Sequence, residues 1–292
     1  MFDSEFLKRL EYLSLLSKRV FRGQLLAQRR TMQVGGGIEF ADHREYMHGD
    51  DLRYLDWNVY ARHGDLLLKR FQEEEDLHVY VLLDGSVSMD RADEGSANKF
   101  LLARQIAAAI SYIALADLDR VSILSYDDRV RETMPLMRGK DNILTLLRFL
   151  ESLQCSGQRT DLATAVGDFV QRASRTGLVL VISDLYDQAG FRDGVDRLRH
   201  AHFEPHVIQI HTPEEAEPKL LGDVELLDCE TGIAKKVTVT ERKLRQYREL
   251  FQGFLGEVES YCRSRGLSHT RTTTETPFDA VLLGMMKASA VG

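Results

Sequence analysis

The 292-residue chain is poor in proline and cysteine and has one tryptophan. With five prolines and no low-complexity tract, long disordered stretches are not expected. The three cysteines, Cys155, Cys229 and Cys262, are far apart and form no Cys-x-x-Cys pair. That argues against a disulfide framework and a zinc–thiolate site, and for a reduced, cytoplasmic protein with small buried thiols. A basic excess is missing too: 38 Lys plus Arg face 45 Asp plus Glu, a net charge of −7. A general nucleic-acid binder needs the opposite field, although a local basic patch is compatible with this balance. No apolar run reaches the roughly 20 residues of a membrane helix. The longest candidate, residues 100–118, is interrupted by Arg104, Gln105, Ser111 and Asp117. The first residues carry acids and lack the apolar stretch of a signal peptide. What is present, 43% apolar and 28% charged residues, is ordinary for a soluble globular protein long enough for one large or two ordinary domains.

Periodicity places the elements. Phe6, Leu10, Leu13, Leu16 and Val20 recur at helical spacing, so residues 5–28 read as a mildly basic amphipathic helix packed on its own domain. Gly35, Gly36 and Gly37 mark a break. Residues 38–76 are polar and irregular, with a short strand over 66–71 and a solvated turn at Glu73 to Asp76. From residue 77 strands (77–83, 120–126, 129–133, 178–183, 206–210) alternate with helices (97–116, 142–153, 161–173, 191–200). The strands are apolar without alternation, which means burial on both faces. The expected fold is therefore α/β, a mostly parallel sheet with helices on both sides. An added hairpin (224–227 with 236–240, around Thr231 and Gly232), a long helix (241–265) stopped by Gly266, a strand (268–274) and a last helix (278–287) follow. The expected division is 1–76 (helix and irregular segment), 77–275 (sheet domain) and 276–292 (helical tail).

In such a sheet, ligands bind outside the carboxyl ends of the strands at the switch in strand order. Three polar groups fall there. Asp84-Gly85-Ser86-Val87-Ser88 leaves the strand 77–83 and aims three oxygens at one point; Mg²⁺ prefers such an oxygen set. Thr160-Asp161 precedes a helix, where the plain alternative is an N-cap. Asp184 follows the strand 178–183, with Asp187 nearby; a lone Asp there is most often a turn residue. Their joint placement on one rim is what singles them out.

Asp84-x-Ser86-x-Ser88, then Thr160, then Asp184 resembles the metal-ion-dependent adhesion site of von Willebrand factor A-type domains. Upstream, Glu39 to Tyr46, His48 to Arg53, Leu55 to Asn58 and Ala61-Arg62 resemble the signature of a bacterial family, the domain of unknown function fifty-eight. The likeness runs from about residue 5 to beyond residue 210 and departs at the loop Ser156 to Arg159, which is less glycine-rich than usual. The resemblance implies hydroxyl ligands from Ser86, Ser88 and Thr160, and Asp84 and Asp184 acting directly or through water on Mg²⁺ or Mn²⁺. An acidic side chain of a client protein would complete the coordination, with Arg159 and Asp187 beside the partner. Family members resemble adaptors of MoxR-type AAA+ ATPases, which implies a non-enzymatic link between such an ATPase and its client. This chain carries no phosphate-binding Gly-x-x-x-x-Gly-Lys-Ser/Thr loop itself.

Two other classes remain in view. A Mg²⁺-dependent, phosphatase-like hydrolase lacks the second acid two residues after Asp84, where Ser86 stands, and a serine-hydrolase elbow is absent at Ser88-Met89-Asp90. A scaffold with a vestigial site is the third. Asp50, Asp51, Arg53, Asp56, Trp57, Asn58 and Arg62 read as charged pairs around a buried tryptophan. The histidines 43, 48 and 63, and 200, 202, 206 and 211, lack ligand spacing and read as structural.

Overall fold

The structure, a computed structural model, describes residues 2–15, 32–34, 39–72, 77–90, 98–156, 159–228 and 233–291. The helix expected over 5–28 is present over residues 4–15 (α1); its remainder, the Gly35 to Gly37 break, the Glu73 to Asp76 turn, Cys229 and the Thr231-Gly232 turn lie outside the described residues. The chain forms two compact units, Ser17–Asp76, and Met1–Leu16 together with Leu77–Gly292.

The smaller unit corrects the reading of an irregular segment. It holds a three-stranded antiparallel sheet of β1 (Met32–Val34), β2 (Glu39–Glu45) and β3 (Leu67–Gln72) in the order β1-β3-β2. Its strands are short and polar, so the backbone ladder rather than an apolar pattern defines them. A 3-10 turn (Leu52–Tyr54) and helix α2 (Trp57–His63) connect β2 to β3. Asp56 caps α2, accepting from the backbone N–H groups of Asn58 (2.9 Å) and Val59 (3.3 Å). Its other oxygen meets His43 Nε2 at 3.0 Å and lies 3.5 Å from Lys69 Nζ. The His43 bond, first, holds the Asp56 carboxyl down at about 2. Arg44 pairs with Asp50 at 2.8 Å and Arg53 with Asp51 at 2.6 Å. The expected charged network is therefore there, but Trp57 is 59% exposed, not buried.

The larger unit is a six-stranded sheet: β4 (His78–Asp84), β5 (Arg120–Tyr126), β6 (Val130–Arg138), β7 (Leu178–Ser183), β8 (Glu204–His211) and β11 (Ser268–Thr273), in the order β11-β8-β7-β4-β5-β6. All neighbours are parallel except β6, an antiparallel edge strand longer than the expected 129–133. The chain moves from β4 to β5 in one direction and returns through β7 and β8 in the other. The switch in strand order thus lies between β4 and β7, the crevice where doubly wound sheets bind ligands.

Helix α3 is one turn (Val87–Asp90). α4 (Lys99–Ala116), α5 (Ile143–Ser152) and α10 (Phe278–Val291) cover one face with α1; α6 (Leu162–Arg172), α7 (Phe191–His200) and α9 (Glu241–Ser264) cover the other. Strand β4 shows why its sequence does not alternate in polarity. Val79, Val81 and Leu83 belong to the first core, whereas Tyr80 and Leu82 belong to the second. Both cores are sealed by residues less than 10% exposed, and burying one such aliphatic side chain contributes about 1.5–3 kcal/mol. α4 is by length and composition apolar enough to cross a bilayer, but 67% of it is buried in the core, which accounts for its apolar circumference.

The expected boundaries at 76 and 275 need adjustment at both ends. α1 and α10 pack within the sheet unit, with the Phe6 and Phe278 rings 4.6 Å apart, so neither terminal helix is a separate segment. The hairpin β9 (Gly222–Leu227) with β10 (Ala234–Val239) pairs as expected, as a separate two-stranded sheet. A short helix α8 (Pro213–Ala216) follows β8.

Candidate metal centre

Three strand ends build the centre. β4 ends at Asp84, and Gly85 lets the chain turn sharply against β5. Its N–H donates to the Tyr126 carbonyl (2.7 Å), its carbonyl accepts from Ser156 N–H (3.1 Å), and a Cβ there would stand 2.8 Å from Ser125 Oγ. Asp84 accepts from the backbone N–H of Ser86 at 2.9 Å, an Asx turn that sets the direction of the following serines. Ser86 and Ser88 lie two apart, and the short α3 that follows Ser86 brings their hydroxyls to 3.0 Å. Ser88 donates to Asp184 Oδ2 at 2.8 Å across the switch point. β7 supplies Ser183, whose hydroxyl donates to Asp84 Oδ2 at 2.5 Å, and Asp184 itself. The next residue, Leu185, has φ +64°, a left-handed conformation that is rare for a branched side chain and stores strain at the turn.

Four of the five expected ligands, Asp84, Ser86, Ser88 and Asp184, therefore form one hydrogen-bonded cluster. Thr160 is buried just before α6, beside Asp161, and stands outside that bonded set among the described residues. The helix cap at this position is Asp161, which accepts from Thr164 N–H at 2.8 Å. Asp187 accepts from the N–H groups of Leu162 and Ala189, both at 2.8 Å, so its carboxylate fastens the start of α6 and its own turn. Arg159 is exposed, and the two residues before it lie outside the described residues. His206 bonds Thr270 Oγ1 at 2.9 Å, a structural role, and burial, first, pushes it down to about 4.

The residue that sequence reading missed is Lys99. Its side chain is 1% exposed, and its ammonium donates to Asp184 Oδ2 (2.6 Å) and to Glu215 Oε1 (2.5 Å). The Tyr186 ring lies 4.8 Å from the same nitrogen. Burial by itself would lower the lysine, but the carboxylates of Asp184 and Glu215 more than reverse this, so it is held charged. Glu215 comes from the short helix α8 that follows β8. Its capping box with Thr212 (Thr212 N–H to Oε2 at 2.8 Å) leaves the other oxygen for Lys99. A lysine opening a predicted helix looks like a surface residue.

Two buried acids, Asp84 and Asp184, stand in the centre. Asp84 is wholly buried, and desolvation, followed by the neighbouring Asp184, raises its carboxyl to about 7. The buried Tyr126 hydroxyl, on the β5 residue paired with Asp84, has no hydrogen-bond partner within range among the described residues. The donor set fits a hard divalent cation. All donors are oxygens, the kind Mg²⁺ prefers, and the 3.0 and 2.8 Å contacts of Ser86 with Ser88 and of Ser88 with Asp184 are hydrogen bonds within the set. Two features count against an open, ready-made centre. The donors are all at least nine-tenths buried, and among the described residues no three His, Cys, Asp or Glu side chains converge as a metal cluster. The sequence-based picture of an outward-facing ion is thus corrected: in this conformation the acids are covered, and Lys99 neutralises one of them.

An α/β protein with a mostly parallel sheet and an oxygen-lined crevice at its switch point is the class these features define. The chain belongs to the family described as protein of unknown function DUF58, whose pattern matches residues 42–252. Uncharacterized proteins of Mycobacterium bovis and Mycobacterium tuberculosis are 26% identical over 239 residues, 81% of this chain and 75% of theirs. An uncharacterized Mycobacterium avium protein is 25% identical over 161 residues, 54% of this chain and 95% of its own. Among solved structures, the conserved hypothetical protein BatB from Bacteroides thetaiotaomicron aligns with a TM-score of 0.43 at 14% identity, covering 72% of this chain and 99% of that one. An aerotolerance-related membrane protein from Bacteroides fragilis aligns with a TM-score of 0.44 at 15% identity over the same shares.

Proposed function

We propose that this protein is a non-enzymatic, metal-dependent protein-binding adaptor of the von Willebrand factor A type. The observation that carries the reading is the four-residue oxygen cluster, gathered at the ends of two parallel strands on either side of the switch in strand order. Asp84, Ser86, Ser88 and Asp184 would hold Mg²⁺ or Mn²⁺, with Thr160 joining from the start of α6. A bound ion with few anionic ligands keeps positive character and recruits an acidic side chain from another protein. The chain's own residues set the geometry: Ser183 and the Ser86 N–H orient Asp84, Tyr186 N–H orients Asp184 (3.1 Å), and Asp187 fixes α6 next to Thr160.

The partner proposed from the family resemblance is a MoxR-type AAA+ ATPase, which would act on an acidic client in the cytoplasm. The Lys99–Asp184 ion pair favours one competing reading, a scaffold whose centre has no metal. Pull-down of the cognate ATPase with and without EDTA, using wild type and Asp84→Ala, separates the two. Metal-dependent capture lost in the variant supports the adaptor; capture indifferent to EDTA and to the substitution leaves the scaffold.

A further inference from the structure

We propose that Lys99 is a tethered counter-ion that competes with the divalent cation for Asp184, and that Glu215 is the acceptor that receives its ammonium when the cation binds. This rests on the metal-centre reading above and adds to it a regulatory residue outside the expected ligand set. The Lys99 ammonium and the Ser88 hydroxyl share a single acceptor atom, Asp184 Oδ2, at 2.6 and 2.8 Å. The other Asp184 oxygen is taken by the Tyr186 N–H. A divalent ion drawn to Oδ2 therefore meets a unit positive charge already on that oxygen, in a setting where burial weakens screening. The two cations cannot share the atom without strong repulsion.

The ammonium has a second place to go. Glu215 Oε1 lies 2.5 Å from it, and the capping box with Thr212 holds that carboxylate in place. Glu215 is itself partly exposed, and the Tyr186 ring stands beside the nitrogen. Lys99 thus bridges the turn after β7 and the helix α8. Its release from Asp184 costs one of two ion pairs, not both. The covered centre and the metal-bearing centre become alternative states of one charge network.

Titration calorimetry with Mn²⁺ on the full-length chain at constant pH tests this through four proteins: wild type, Lys99→Met, Glu215→Gln and the double variant. The expected results are at least tenfold tighter Mn²⁺ binding for Lys99→Met and severalfold weaker binding for Glu215→Gln, although Glu215 is no ligand. The double variant should match Lys99→Met, because Glu215 acts only through the lysine. Simple additivity of the two effects points to general field effects and overturns the transfer. Unchanged or weaker binding in Lys99→Met, with wild type still binding, overturns the competition and leaves the metal centre standing. No heat from any of the four removes the metal centre and the inference with it. Should Lys99→Met fail to fold, Glu215→Gln decides alone: binding equal to wild type overturns the proposal.

Discussion

Asp184→Asn removes one charge from the centre while keeping the size of the side chain. Asp184 is 1% exposed at its side chain and accepts from Ser88 Oγ, Lys99 Nζ and Tyr186 N–H. An asparagine still accepts through its carbonyl oxygen, so what is lost is the charge that faces the buried lysine. Removing one partner of a buried ion pair costs about 3–5 kcal/mol, because the other charge is left poorly compensated. Glu215 continues to hold the ammonium at 2.5 Å, which places the loss near the lower end, about 3 kcal/mol. For a unit of this size that is a fall in Tm of about 6–12 °C. The assay is thermal unfolding by far-ultraviolet circular dichroism, which follows the helices of the sheet unit. Fluorescence of Trp57 belongs to the other unit and serves as the internal control. A fall of less than about 2 °C would mean that the Lys99–Asp184 pair is not worth what its burial implies, and would refute the electrostatic account of the centre.

Three further outcomes are expected. Gly177→Ala places a Cβ 2.1 Å from the His78 carbonyl oxygen at the start of β4, a clash with backbone that no rotamer relieves; a loss of about 1–3 kcal/mol in urea unfolding is expected, and an unchanged midpoint would contradict it. His206 is depressed to about 4 from 6.5, so the unfolded chain binds the proton more readily, and the stability it contributes is full above about pH 6.5 and lost as pH falls towards 4. Allowing for its partial exposure this is about 2 kcal/mol, and His206→Gln, which can still bond Thr270, should flatten that limb of the stability profile. Asp56, depressed to about 2 chiefly by His43, contributes stability above about pH 4 that disappears as pH falls through 2; Asp56→Ala should weaken the smaller unit and move the Trp57 emission at neutral pH, whereas an unchanged spectrum would disconnect the cap from that helix.

The sheet was legible because its strands say the same thing locally and globally. LVLVIS over 178–183 and RVSILSY over 120–126 are mainly apolar and are buried beyond their first residue, and the observed β7 and β5 have those same bounds. Helix α7 was likewise legible over 191–200, from the strong contrast between Phe191, Val195 and Leu198 and the charges between them. Of the small antiparallel sheet only β3 was legible, as the strand expected over 66–71. Segments such as EFADHRE carry no burial pattern, and what makes them strands is pairing with a partner far along the chain. The exposed Trp57 misled for a related reason: residue type states a preference for burial, not a place. In the centre, Asp84, Ser86, Ser88 and Asp184 were found because strand ends can be located from the chain itself. Lys99 was not found, because a lysine at the start of a helix has no local mark of burial.

The sequence by itself determined the alternation of strands and helices, the positions of the strand ends, and therefore which acids and hydroxyls lie on one rim. Those follow from short-range periodicity and the geometry of a parallel sheet. Only the tertiary structure decided that β7 lies beside β4, so that Asp184 reaches Ser88 from 96 residues away, and that the ammonium of Lys99 on α4 meets both Asp184 and Glu215 of α8. The reason is that a buried charge is satisfied by whatever partner the packing delivers, and which partner that is depends on strand order, a property of the whole chain and of no segment within it.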